Sequence, residues 1–293
     1  MRKFDRILIV GGTHGNELTG AYLIRSGAFE HLTQFSFEVL TLLANPRAVA
    51  ANLRYLGRDL NRSFERQRLD NDRFNNYEDQ QAREIYQRFG PHSATPVDVI
   101  IDLHTTTANM GNTIILDEES STGLQLAANL SIAEPSVKIY STSTSGRQDA
   151  LRTIAPLGIC IEVGPVVPGI LDAAAFAQTQ ALVLQVLADL DRANQGGLAD
   201  LPESVTLYRY FSTIDYPRNQ AGQPIAMIHP QLQLQNYQPL YPGDPIFIDF
   251  AGHVTAYMGP ETVYPIFINE AAYYEKGIAF VLTQKQQVDC YDQ

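Results

Sequence analysis

The feature that most constrains this chain is the rhythm of its first two hundred residues, where short aliphatic runs, each the length of one strand, alternate with stretches of helical spacing. Runs that are apolar on both faces need cover on both sides. Strands that alternate with helices obtain it by stacking helices above and below a largely parallel or mixed sheet. The spacing predicts strands over Arg6–Val10, Phe37–Leu43, Val97–Leu103, Asn112–Leu116, Val137–Tyr140 and Gly158–Val163. It predicts helices over Leu18–Arg25, Tyr77–Phe89, Gly123–Leu130 and Ala173–Asn194, the last closed by Gly196-Gly197.

From Leu201 the texture changes to alternating Tyr, Ile and Phe broken by Pro and Gly, as in Ser204–Phe211, Asp244–Phe250 and the turn Tyr241-Pro-Gly-Asp244. The expected fold is therefore α/β, with a mixed sheet flanked by helices over residues 1–196 and a smaller β-rich domain over residues 197–293. There is no internal repeat and no low-complexity tract.

Composition bounds the partners. With 21 Lys+Arg against 32 Asp+Glu the chain carries a net charge of −11, which argues against nucleic acid, whose phosphates are met by clustered cations. The two cysteines, Cys160 and Cys290, exclude a disulfide framework and match a reducing compartment. The run Ile7–Val10 behind Met1-Arg2-Lys3 is too short for a signal-peptide core, and no apolar run approaches the roughly 18 residues of a membrane span. A soluble, cytoplasmic protein is expected, binding neither membrane nor nucleic acid.

The chemistry-bearing residues sit at predicted strand ends, the edge at which open α/β sheets bind ligands. The first strand ends in Gly11-Gly-Thr-His14-Gly-Asn-Glu17, a spacing that lets His14 and Glu17 share one cation; a helix-capping turn with a solvated Glu is the alternative. His104 ends the buried run Val97–Leu103 and would join them. A His/Glu/His set leaves a fourth position of tetrahedral zinc open, as catalytic zinc requires. Glu162 ends a third run, Leu157–Ile161, where a carboxylate needs a cation, donors or a cleft. It is either the general base beside the metal or a salt-bridged core residue. Between Arg47 and Arg68 six Arg face only Asp59 and Glu65, a local excess of 6 − 2 = +4. Arg rather than Lys points to bidentate recognition of a small anionic substrate, with Arg66 and Arg68 read as solvated surface.

Gly11-Gly-Thr-His-Gly-Asn-Glu-Leu-Thr-Gly20, Asn45-Pro-Arg-Ala-Val49, Arg54-Tyr55, Asp59-Leu-Asn-Arg62, Asp102-Leu-His-Thr105, Asn109-Met-Gly111, Ile161-Glu-Val-Gly-Pro165 and Val263–Lys276 occur in this order along nearly the whole chain. Together they resemble the aspartoacylase family, zinc hydrolases related to the zinc carboxypeptidases. The resemblance implies a carboxypeptidase-like catalytic domain whose site is covered by the C-terminal domain. It implies one Zn²⁺ on His14, Glu17 and His104, with Glu162 activating water and Arg54 polarising the scissile carbonyl. Asn61 and Arg62 would hold the substrate's α-carboxylate, Tyr273 would close the site, and Arg152 would bind a side-chain carboxylate. Four positions before Arg152 the animal enzyme has a substrate-contacting tyrosine where this chain has Gln148. The implied reaction is hydrolysis of N-acetyl-L-aspartate to acetate and aspartate. Deacylation of other N-acyl amino acids, aromatic ones included, is the rival, a peptidase is disfavoured by the narrowed access, and a zinc-binding protein without turnover stands further off. A homo-oligomer is compatible with all of these.

Overall fold

A computed structural model describes residues 3–197 and 202–291. The strands, in chain order, are β1 (Arg6–Gly11), β2 (Glu38–Leu43), β3 (Val99–Thr105), β4 (Gly111–Leu116), β5 (Lys138–Ser141), β6 (Leu157–Gly164), β7 (Ser204–Ile214), β8 (Ala226–Ile228), β9 (Pro245–Asp249), β10 (Val254–Ala256), β11 (Tyr264–Ile266) and β12 (Phe280–Asp289). The α-helices are α1 (Leu18–Arg25), α2 (Pro46–Ala51), α3 (Arg66–Leu69), α4 (Tyr77–Phe89), α5 (Ser121–Ala133) and α6 (Ala173–Asn194).

One mixed sheet of nine strands runs in the order β11-β12-β7-β5-β4-β6-β3-β1-β2, and β10-β9-β8 form a separate sheet of three. Strands β2, β1, β3 and β6 are mutually parallel, whereas β4 lies antiparallel to β6. The chain leaves β1 toward β2 on one side and later returns to place β3 on the other. The carboxyl ends of β1 and β3 thus flank a topological switch point, the crevice where such sheets bind ligands.

Period-two alternation divides the core. Ile7 and Ile9 of β1 and Val99, Ile101 and Leu103 of β3 pack with Leu23 of α1, Leu124 of α5 and Val183, Val186 and Leu187 of α6. On the opposite face Leu8, Val10 and Ile100 meet Ala82, Ile85 and Phe89 of α4. His104 shares the face of Ile100 and Asp102 on β3, so the strand that builds the core also aims the imidazole. Among the described helices only α6 is long and apolar enough, by length and composition, to cross a membrane. Its apolar stripe is spent on the sheet and on α1 and α5.

The C-terminal part divides between the two sheets. Strand β7 pairs in parallel with β5, and β12 and β11 follow it, so these strands extend the main sheet, while β8, β9 and β10 stand apart. Residue 196 lies just beyond α6, with Gly196 at φ 80°, a left-handed turn that ends the helix.

Candidate active site

Two close backbone approaches form the first corner of the site. A Cβ on Gly15 would lie 2.1 Å from the Ala48 carbonyl carbon, so only glycine lets the turn after β1 rest on α2. The Gly15 N–H donates to the Arg54 carbonyl at 3.0 Å. Helix α2 is itself fixed by Pro46 in its first turn and by Asn45, whose side chain accepts from the Ala48 N–H. The loop carrying Arg54 is thereby set beside His14.

His14, Glu17 and His104 are all buried, and their ligating atoms lie within 4.8 Å of one another. Glu17 precedes α1 but makes no capping bond, which removes the capping-turn alternative. Its carboxylate instead stands 2.6 Å from His14 Nδ1 and 2.8 Å from His104 Nδ1. The outer nitrogens have carboxylate partners: His14 Nε2 lies 3.0 Å from Asp59 Oδ1 and His104 Nε2 lies 2.9 Å from Asp102 Oδ2. With a metal on the inner side, these partners would hold the proton of each ring on Nε2 and leave both Nδ1 lone pairs facing inward.

The two Nδ1 atoms are 3.2 Å apart. Nitrogen ligands about 2.05 Å from a tetrahedral zinc stand about 3.3 Å apart, so the spacing fits such an ion. Two facing lone pairs beside a carboxylate repel one another unless a cation lies between them. The donor set therefore fits a divalent metal by distance and by chemistry.

Glu162 stands on β6 directly opposite His104 on β3. It is buried, lines the cleft and makes no hydrogen bond or ion pair with a described residue, which removes the salt-bridged alternative. Burial pushes its carboxyl up to about 8; Glu17 and Glu270 add to the rise, and His104 and Arg54 oppose it. Glu17 is moved the other way, because His14 and His104 overcome the burial that would raise it.

Of the six arginines between residues 47 and 68, only Arg54 and Arg62 line the cleft. Arg54 Nη1 donates to Glu17 at 2.9 Å, and Nη2 lies 3.5 Å from Asp59. Arg62 stands 3.6 Å from Asp149. The others serve the fold: Arg47 stacks on Tyr77, Arg58 donates to the Arg62 carbonyl, and Arg66 pairs with Asp70 on the surface as expected, whereas Arg68 is not solvated but packs over Phe74 and pairs with the buried Asp79. Asn61 is buried against the metal site, where its Oδ1 accepts from the Leu151 N–H at 2.8 Å. Its Nδ2 lies 3.3 Å from His104 Nε2. Since that nitrogen gives its proton to Asp102, the Asn61 amide protons remain for the cleft.

The C-terminal part closes the cleft with the 3₁₀ turn Ala271–Lys276. Tyr273 lines the cleft beside Phe267, with ring centroids 5.3 Å apart. Glu270 anchors the turn to the segment after β3 by accepting from the Thr106 hydroxyl, the Thr107 N–H at 2.8 Å and the Ala108 N–H at 3.2 Å. Lys276 Nζ reaches Asp59 Oδ2 at 2.6 Å.

The structure adds detail at Arg152 and at Gln148. Arg152 does line the cleft, but its guanidinium is not free, since Nε lies 2.6 Å from Asp117 Oδ2 and Nη2 donates to Oδ1 at 2.8 Å. Gln148 is exposed and borders a separate, smaller pocket, while its neighbours Arg147 and Asp149 line the cleft. Sequence reasoning gave no role to Asp59, Asp117, Glu270 or Lys276, whose side-chain partners in the site are distant in sequence and meet them through tertiary packing. Asp102 did carry a signal, lying two residues before His104 and so on the same face of its strand.

Residues 3–190 match the family model for the succinylglutamate desuccinylase/aspartoacylase catalytic domain, and residues 203–285 match that for the AstE/AspA barrel-sandwich hybrid domain. The chain is 46% identical over 291 residues to a probable aspartoacylase from Nostoc sp., covering 99% of each protein. It is 40% identical to the human N-acyl-aromatic-L-amino acid amidohydrolase (carboxylate-forming), over 96% of this chain and 90% of that protein. The crystal structure of murine aminoacylase 3 superposes with a TM-score of 0.91 at 39% identity, over 98% of this chain and 97% of that one.

Proposed function

The chain belongs to the succinylglutamate desuccinylase/aspartoacylase family, and from that premise we propose that it is a zinc-dependent amide hydrolase that deacetylates N-acetyl-L-aspartate. One observation carries the reaction type: Glu162, unpartnered and with its carboxyl raised to about 8, stands opposite His104 in a cleft whose neighbouring His and Glu atoms fit a metal. His14, Glu17 and His104 would hold the zinc, which when bound would supply Lewis-acid polarisation of an amide carbonyl and lower the pKa of water toward neutrality.

The remaining work falls to the chain's own side chains. Glu162 takes the proton of the attacking water and returns it to the leaving nitrogen, a task suited to a carboxyl whose affinity for protons burial has raised. Arg54 places positive charge beside the carbonyl oxygen as it becomes anionic. Arg62 and the free Asn61 amide protons bind the α-carboxylate, and the Tyr273 hydroxyl adds a donor from the C-terminal turn. Asp59 and Asp102 hold both imidazoles in the tautomer that turns Nδ1 inward.

Of the cations that border the cleft, Arg62, Arg152 and Lys276 are paired with Asp149, Asp117 and Asp59, while the Arg147 side chain bonds to no described residue and supports an anionic substrate such as acetylaspartate. A second reading, deacylation of aromatic N-acyl amino acids, draws on Ile115, Tyr140, Phe267, Ile278 and Val281 in the same lining. Metal analysis of the purified protein and kcat/KM for acetylated aspartate, tyrosine and glutamate, measured in parallel, decide between them. Stoichiometric zinc and highest kcat/KM on acetylaspartate are expected. A clear preference for acetyltyrosine selects the second reading, and absence of turnover on all three removes the hydrolase.

A further inference from the structure

On the floor of the cleft, β6 carries Glu162 and, two residues back on the same face, Cys160, which pairs with Ile115 of β4. One strand repeat is about 7 Å, so this floor leads from the reacting end to a second polar centre, the buried Arg152–Asp117 pair. A Cβ on Gly158 would lie 2.7 Å from the Arg152 carbonyl oxygen, and its absence lets the turn Leu151–Ile154 lie against β6. Asp117 directly follows β4, and its Oδ1 also accepts from the Thr142 hydroxyl at 2.8 Å. Arg152 donates to Asp117 through Nη2, its Nε lies in ion-pair contact with Oδ2 without forming a hydrogen bond, and Nη1 makes no hydrogen bond with a described residue.

This arrangement orients the guanidinium and neutralises it at once. A substrate carboxylate approaching the remaining edge of Arg152 also meets the charge of Asp117, whereas a neutral side chain of the same shape pays no such repulsion. The other cleft charges, Arg62 with Asp149, Arg147 and Lys276, are the same in parent and variant and cancel when the ligand ratio of one protein is compared with that of the other. We propose that Asp117 is a specificity-determining residue, holding Arg152 in place while restraining the preference of the side-chain subsite for acidic substrates. This rests on the deacylase reading only in the choice of ligands.

N-acetylaspartate and N-acetylasparagine are nearly isosteric and differ by one charge, so the ratio of their affinities reports the charge of the subsite. Binding to zinc-loaded Glu162→Gln protein, followed by calorimetry, separates recognition from turnover. Replacing Asp117 by Asn in that background removes the opposing charge and should raise the acetylaspartate preference by about tenfold or more, as expected for unit charges several ångströms apart in a partly buried site. Asp117→Glu should restore the parental ratio. Arg152→Gln, which leaves Asp117 alone, should lower the ratio by a similar factor and serves as the test if Asp117→Asn does not fold. An unchanged or reduced ratio in folded, zinc-loaded Asp117→Asn protein overturns the proposal, as does failure of the parent to bind either ligand. Selective binding by the parent, together with no turnover by the wild-type protein, would count against the deacylase and leave the subsite standing.

Discussion

Asp102→Asn isolates what the carboxylate behind His104 contributes to metal binding. Asp102 has no solvent exposure, accepts from the Thr13 hydroxyl at 2.8 Å through Oδ1 and stands 2.9 Å from His104 Nε2 through Oδ2. An asparagine fills the same volume; its oxygen can still accept from Nε2–H while its amide nitrogen donates to the Thr13 hydroxyl. Geometry and tautomer are kept, and the charge is lost. Burial disfavours the ionised Asp102, yet the His104 imidazole, Arg152 and the Thr13 hydroxyl hold its carboxyl below the ordinary range, so the native group is anionic at neutral pH and makes His104 a better donor. Loss of such an outer partner weakens metal binding by about 10- to 100-fold, or about 1.4 to 2.7 kcal/mol. Competition with a chromophoric chelator measures the zinc affinity, and thermal unfolding of the metal-free forms checks that the fold is retained. A folded variant whose zinc affinity lies within about twofold of the parent would refute the argument that the carboxylate strengthens its ligand.

Glu162→Gln should retain metal and fold while kcat falls by about 10² to 10⁴, the cost of losing a general acid–base group; near-normal turnover would make Glu162 structural. His14→Ala leaves two protein ligands, so metal analysis should find little zinc, and full retention with activity would displace the metal assignment. Tyr273→Phe removes a hydroxyl but keeps the ring against Phe267, and kcat/KM should drop by about 10- to 100-fold with zinc content and thermal stability little changed. Glu119 is raised by burial, but Arg209 and the Ser141 and Ser143 hydroxyls prevail and hold its carboxyl down to about 2. A depressed carboxyl adds stability that is fully present above the unfolded value of 4.5 and is lost as pH falls through about 2. Thermal unfolding of Glu119→Gln should therefore depend less on pH across that window than the parent does; parallel curves would contradict the ion pair's role.

Much of this architecture was legible because it rests on local periodicity. Leu18–Arg25, Tyr77–Phe89 and Ala173–Asn194 are helices over the predicted spans, and the six strands predicted in the first two hundred residues shift by only one or two residues at their ends. Strand β12 was not legible. Its middle, Thr283-Gln-Lys-Gln-Gln287, has the polarity of a loop and becomes a strand because β7 supplies partners for all five residues, with β11 reaching only Thr283. The site divides in the same way. His14, His104 and Glu162 could be found because strand ends are readable and a buried run that stops at a titratable residue is informative. The pairing of Arg152 with Asp117 and the grip of Glu270 on Thr107 join residues 35 and 163 positions apart, and no local pattern records them.

The passage of the main sheet through β5 and β7 bears on how the protein admits and releases small molecules. Ile139, Tyr140 and Ser141 pair with Leu207, Tyr208 and Arg209, and the two regions share the cluster that holds Tyr140, Tyr208, Phe267 and Val281. Swinging the C-terminal part away as a rigid flap would strip that ladder and open this cluster to water, at the cost of several buried backbone bonds. Traffic must then depend on segments that lie outside the ladder, above all the Ala271–Lys276 turn and the loop that carries Arg147. The breathing relevant to turnover is accordingly local, and hydrogen exchange should find these two segments opening while the amides of β5 and β7 stay protected.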